Sequence, residues 1–285
     1  MKLSVCIITL NEEANIGRTL KSVQPLVADG QGEIIVVDSG SNDRTVEIAK
    51  SFGAKVFTEP WKGFAAQKNS AIEKAQGEWI LSLDADEELS HELADELAGL
   101  ITALEDPNTD SYGQGTKAII FHGPGLRNRP KGFWIPRKNF FLGKWIRHGG
   151  FFPDRKLRLF RNRWGQFQNR AVHEDVYLAQ EDVADGPVLR DFSPLLHHAY
   201  PTLSGYIEHM NKYSSLGAEM EIEKGRRGFS LINIVIRPWL TFIYNYFFRL
   251  GFLDGKEGLL LHLYHAVYVS WKYAKAWELS RKKAD

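Results

Sequence analysis

"GEIIVVDSGSNDRTVEIAKSFG", residues 32–53, decides the fold. EIIVVD is a near-continuous apolar run, as a strand covered on both sides requires, and SGSND is turn chemistry. The segment after it has helical patterning and ends at Gly53, a residue that readily closes a helix. One strand–turn–helix unit decides little by itself. The order recurs on either side of it. "KLSVCIITL" (2–10) is short, apolar and β-branched, and in "NEEANIGRTLKSVQPLV" (11–27) Ile16, Leu20 and Val23 recur at helical spacing. "AKVFTE" (54–59) predicts a third strand, "GFAAQKNSAIEKAQG" (63–77) a helix closed by Gly77, and "EWILSLDAD" (78–86) a fourth strand.

Strands and helices alternating over the first hundred residues predict a parallel sheet with helices on both faces. In such sheets ligands sit at the carboxyl ends of the strands. The clusters TLNEE, DSGSND and DADEE each follow an apolar strand directly, so all three are expected to converge on one edge of the sheet. Four acids crowd the last of them: Asp84, Asp86, Glu87 and Glu88. "ELSHELADELAGLI" (88–101) is plainly a helix, and acids at a helix start favour its dipole, which accounts for Glu87, Glu88 and Glu92. It does not account for Asp84 and Asp86, one residue apart at a strand end. Two carboxylates so placed suit an octahedral Mg²⁺ or Mn²⁺ that completes its shell with waters and phosphate.

The bulk numbers exclude some classes. Lys plus Arg number 36 against 35 Asp plus Glu, so no net field argues for a nucleic-acid partner. A 44% hydrophobic share in 285 residues suffices for a large core and argues against disorder. The single cysteine, Cys6, lies in an apolar run and reads as a core residue in a reducing compartment, with no internal disulfide. The N-terminal segment meets NEEAN too soon for a secretory signal, so a cytoplasmic setting is expected. From about residue 107 the texture turns to Gly, Pro, aromatics and Arg, which predicts short strands and irregular loops. Helical patterning returns from about 202, broken at KGRRG and GFLDGKEG, which predicts three helices in succession.

Four segments in this order and spacing, SVCIITLNEEANI, EIIVVDSGSNDRT, AAQKNSAI and GEWILSLDADEEL, resemble the donor-binding half of inverting family 2 glycosyltransferases with the GT-A fold. Further on, FFLGKWIRHGGFFPDRKLRLFRN, AVHEDV and LLHHAYPTLSGYIEHMNKYS are similar to bacterial lipopolysaccharide core β-glucosyltransferases of the WaaE/LgtF kind. The resemblance implies an α/β GT-A sheet flanked by helices, with a C-terminal helical extension. It divides the chain into a donor-binding half (1–106), an acceptor-binding half (107–201) and C-terminal amphipathic helices (202–285).

It also implies roles. Thr9, Asn11 and Glu13 contact the nucleotide of a UDP-sugar. Asp38 reaches the base and ribose, with Ser39 and Asp43 nearby; the plainer readings are a turn acid for Asp38 and a helix cap for Asp43. Lys68 points at the diphosphate, or is an ordinary solvated helix lysine. Asp84 and Asp86 carry the metal, Asp86 as the more direct ligand. Glu174 is the base that strips the acceptor hydroxyl, with Asp175 in reserve and His173 orienting the acid or touching phosphate. Of the basic run Arg155, Lys156, Arg158 and Arg161, Arg158 is the best candidate for holding phosphate; the alternative is a strand with one solvated face.

The C-terminal stretch is rich in Trp, Tyr and Phe, with cations scattered through it. Arg237, Pro238, His262, His265 and Lys272 interrupt its apolar segments, so attachment to a membrane surface is expected rather than spanning, with packing on the catalytic domain or a partner chain as the alternative. The acceptor would then be a lipopolysaccharide core or other lipid-linked glycan, and the enzyme would sit on the inner face of the cell membrane. A nucleotidyltransferase would also use acid-bound Mg²⁺, but TLNEEAN is the opposite of its Gly-rich basic loop. A non-catalytic sugar-nucleotide scaffold is the remaining alternative, and the intact acids argue against it.

Overall fold

The computed structural model describes residues 1–106, 109, 111–112, 119–120, 130–168, 176–178, 189, 193–225 and 229–282. Strand β1 (Leu3–Thr9) leads into α1 (Ile16–Val27), β2 (Gly32–Asp38) into α2 (Thr45–Ser51), and β3 (Lys55–Thr58) into α3 (Phe64–Glu73). β4 (Trp79–Asp84) passes through the short β5 (Glu87–Leu89) into α4 (His91–Glu105). The Gly, Pro and aromatic region forms short strands, as expected: β6 (Ser111–Tyr112) with β7 (Ile119–Ile120), then β8 (Gly132–Phe141), β9 (Lys144–Trp145), β10 (Asp154–Arg161), β11 (Gly165–Phe167), β12 (Val176–Leu178) and β13 (Leu195–Tyr200). α5 (Leu203–Glu223), α6 (Arg237–Ile243) and α7 (Gly255–Lys282) follow, with π-helical turns at Ile232–Ile236 and Tyr244–Phe248 around α6.

The main sheet runs β3-β2-β1-β4-β10-β8-β13-β5, with β9 on β8. β3, β2, β1 and β4 pair in parallel, as a βαβ alternation demands, whereas β10 joins β4 and β13 joins β5 antiparallel. Alternation along β1 sends Leu3, Val5 and Ile7 into a core with Leu20 and Val23 of α1 and Leu93 and Leu97 of α4. Cys6 and Ile8 turn to the opposite face, toward Ala65 and Ala71 of α3. Both faces are therefore covered. Gly53 ends α2 with φ +76°. Gly77 does not close α3, which ends at Glu73; it lies where a Cβ would come within 2.5 Å of the Ser4 backbone nitrogen, so close packing excludes any side chain there.

The chain groups into two compact units, Met1–Arg137 with Arg155–His197, and Lys138–Asp154 with His198–Asp285. The second holds the three expected helices. Its α5 and α7 are tied by Lys275, whose ammonium donates to the Asn211 carbonyl (2.7 Å) and the Ser214 hydroxyl (2.8 Å). Among the described residues no helix is long and apolar enough to cross a membrane.

Candidate active site

The loops after β1 and β2 interlock. Asn11 takes a left-handed turn (φ +56°), a conformation asparagine tolerates, and its side chain accepts from the Asn42 N–H at 2.9 Å. Its own N–H donates to Ser41 Oγ at 2.8 Å. Glu13 accepts from the Arg44 N–H (3.0 Å), while the Glu13 N–H donates to Asp43 (3.1 Å). Asp43 also accepts from the Thr45 N–H at the start of α2 (3.0 Å), from one residue before the N-cap position, which Arg44 occupies. Asp38 is buried and spent on its own turn, accepting from Thr9 Oγ1 (3.0 Å) and the N–H groups of Gly40 and Ser41 (both 2.9 Å). Ser39 lies beside it with a hydroxyl enclosed and unpartnered among the described residues.

The third cluster is a charge network. Asp84, at the end of β4, has Lys68 Nζ at 2.8 Å on one oxygen and Arg158 Nη2 at 2.6 Å on the other. Arg158 also reaches Glu87 at 2.6 Å, the same Glu87 oxygen accepts from Arg137 at 2.8 Å, and the other accepts from the Asp84 N–H at 3.0 Å. Glu87 is 0% exposed. Asp86 faces His197 Nε2 at 3.4 Å, and Glu88 faces Arg18 at 3.3 Å. Topology assembles the set: pairing of β10 with β4 brings Arg158 alongside, and pairing of β13 with β5 sets His197 opposite Glu87.

Burial alone would raise the Asp84 pKa, but the charges of Arg158 and Lys68 overcome it and hold the group well below the usual carboxylate range. Asp86 is likewise raised by burial and brought down on balance by His197. Burial disfavours the Arg158 charge, yet Asp84 and Glu87 push its pKa upward. Glu12, desolvated and close to Asp86, Asp43 and Asp84, is shifted upward. Glu12 thus feels acids of the other two clusters, so TLNEE, DSGSND and DADEE lie close to one another.

The outcome for the expected residues is mixed. Lys68 is not a solvated helix lysine: it is 5% exposed and lies 5.1 Å from the Phe167 ring centre. Arg158 is 5% exposed, and the strand around it is buried from Leu157 to Phe160, so the one-solvated-face reading fails. Glu87 is not a helix-dipole acid; Ser90 caps α4, and Glu87 lies in β5 binding two arginines. Arg161 pairs with Glu78 and sits opposite Trp79 in register, at the far end of β4 from Asp84. Arg155 and Lys156 lie at the start of β10 and make none of the contacts of the Asp84 network described above. Glu174, Asp175 and His173 lie outside the described residues. Sequence reasoning missed Arg137 and His197. Arg137 had a signal, a cation inside the apolar run GFWIPRKNFF, as Arg158 does in KLRLF.

The sequence profile of glycosyl transferase family 2 matches residues 4–165, more than half the chain. The chain belongs to glycosyl transferase family 2. An uncharacterized glycosyltransferase of Rickettsia typhi is 30% identical over 289 residues, covering 100% of this chain and 89% of the relative. The lipopolysaccharide core biosynthesis glycosyltransferase LpsC of Rhizobium meliloti is 28% identical over 296 residues, covering 100% of this chain and 95% of its own length. Among solved structures, the mannosyltransferase PcManGT of Pyrobaculum calidifontis, in complex with GDP-Man and Mn²⁺, aligns over 96% of this chain and 86% of its own, with a TM-score of 0.52 and 14% identity. The fold is GT-A, and the family 2 chain is a glycosyltransferase, not a nucleotidyltransferase.

Proposed function

We propose that this glycosyltransferase moves a hexose, glucose in the first instance, from a UDP-sugar to a lipopolysaccharide core or other lipid-linked glycan with inversion at the anomeric carbon. The observation that carries the reading is the Lys68–Asp84–Arg158 network with Asp86 beside it at the end of β4. The LpsC relative, whose name places it in core biosynthesis, supports the acceptor class. Thr9, Asn11 and Glu13 line the nucleotide end, and Asp38 holds the turn that offers Ser39 to the base and ribose. The unpartnered Ser39 hydroxyl supports a ligand there.

The residues fit a hard divalent cation. Asp84 has a protein cation on each oxygen, so Asp86 would hold the Mg²⁺ or Mn²⁺, with Asp84 behind it and diphosphate and water completing the shell. Bound there, the ion supplies Lewis-acid stabilisation of charge on the departing UDP. Lys68 and Arg158, already desolvated and aimed at the cluster, add fixed positive charge for the same diphosphate. Glu174 is assigned the base role, with Asp175 in reserve. The helices after residue 202 attach the enzyme to the cytoplasmic face of the membrane: Trp239 is 62% and Phe248 75% exposed, and residues 225–253 contain four Arg and no Asp or Glu.

Incubation with UDP-glucose, UDP-galactose and UDP-N-acetylglucosamine, with UDP release read in Mn²⁺ and again in chelator, tests this. Release from one donor that falls to background in chelator is expected. Release indifferent to chelator, or from none of the donors, counts against it.

A further inference from the structure

We propose that Lys138, Trp145 and Arg147 form an anion-binding platform for the acceptor, taking one negatively charged substituent of a sugar, a phosphate ester or a carboxylate. The inference rests on the reading of the chain as a transferase acting on a glycan. All three residues belong to the second compact unit, Lys138 on β8, Trp145 on β9 and Arg147 just after it. The Lys138 ammonium lies 4.4 Å from the indole centre and the Arg147 guanidinium 4.1 Å, while Phe152 meets the ring edge-on at 5.2 Å.

The two positive charges flank one ring at a spacing of up to about a Debye length, ~8 Å at physiological ionic strength, so each keeps its own attraction for an anion close by. The ring's quadrupole attracts each cation but neutralises neither. The acids nearby are engaged elsewhere. Asp254 accepts from the N–H groups of Arg147 (3.2 Å) and His148 (2.8 Å) and faces the His148 ring at 3.0 Å; Glu257 pairs with Lys144 at 3.3 Å. Among the described residues no carboxylate pairs with Lys138 or with the Arg147 guanidinium. The complement to this charge is therefore absent from the described part of the chain.

Two further features favour a ligand. The Asp254 contacts fix the backbone at residues 147–148, so the cations are presented on a preformed support. The Trp145 indole N–H is enclosed without an acceptor among the described residues, so the ring between the two cations carries a further polar group that the described chain leaves unsatisfied. The platform is two cations wide with carboxylates beside it, which suits a single anionic group better than an anionic lipid sheet.

The test follows the ¹⁵N indole signal of Trp145 in the full chain, assigned by its loss in Trp145→Phe, during titration with glucose 6-phosphate, glucuronate and glucose. The signal is expected to move with the phosphate, the carboxylate or both, which tells the two sources apart, and not with glucose. In Lys138→Met/Arg147→Met, which keeps apolar stems on the ring, the dissociation constant is expected to rise at least tenfold. Equal shifts with glucose, unaltered affinity in the double variant, or shifts only with phosphatidylglycerol vesicles would overturn the proposal. Absence of UDP release in both proteins strikes the transferase reading instead, and the titration still decides the platform.

Discussion

The acid network at the end of β4 and the helical stretch around α6 solve opposite problems. In the first, each charge has a partner supplied by the chain: half-buried Asp84 has Lys68 and Arg158, and fully buried Glu87 has Arg158 and Arg137. Around α6, large apolar side chains such as Trp239, Leu240 and Phe248 stand exposed. A compensated site is preorganised, and its ligand adds to charges already fixed. An uncompensated surface states by its chemistry what it lacks.

The difference can be broken from either side. Replacing Arg158 by Met leaves Asp84 and Glu87 sharing fewer cations in a buried setting, and breaking such a pair costs about 3–5 kcal/mol. Urea unfolding of Arg158→Met should show a loss of that order; a change within the error of the measurement would mean the network is solvated. On the other side, Trp239→Glu with Phe248→Glu should weaken binding to phosphatidylglycerol vesicles at least about tenfold while leaving the unfolding midpoint nearly unmoved. Undiminished vesicle binding would assign that face to protein contact, and a fall in oligomeric state would identify a second copy.

A smaller effect is expected from His262 of α7. Its ring is buried against Gly149 and Gly251, where a Cβ would come within 2.0 and 2.3 Å of it. Burial first, then His265 and Arg249, push its pKa down to about 4, against the pull of Asp254. The folded-state value lies below the unfolded one of 6.5, so the neutral ring's contribution is full above that pH and is lost as pH falls toward about 4. Thermal unfolding between pH 7 and 4.5 should show a slope that flattens in His262→Leu. An identical slope in the variant would remove His262 as its cause.

Much of the parallel half was legible because its signals are local. The apolar runs at 2–10 and 32–38, the turn clusters after them and the stop at Gly53 each declare themselves within a few residues. Glu87 was misread for the converse reason. Beside "ELSHEL" it looks like a helix-start acid, and only Arg137 and Arg158, 50 and 71 residues later, turn it into a buried anchor. The antiparallel pairings that bring in Arg158 and His197, β10 with β4 and β13 with β5, are of the same distant kind. The π turns around α6 left no mark in periodicity, since an apolar run with no polar face has no phase to read.

Isothermal titration of UDP in the presence of Mn²⁺, comparing the native chain with Asp86→Asn, tests the central claim most directly. Removing a direct ligand should cost at least what an outer-shell partner costs, so Mn²⁺-dependent affinity should fall on the order of 100-fold with the fold intact. UDP bound as tightly by Asp86→Asn as by the native chain would contradict the account.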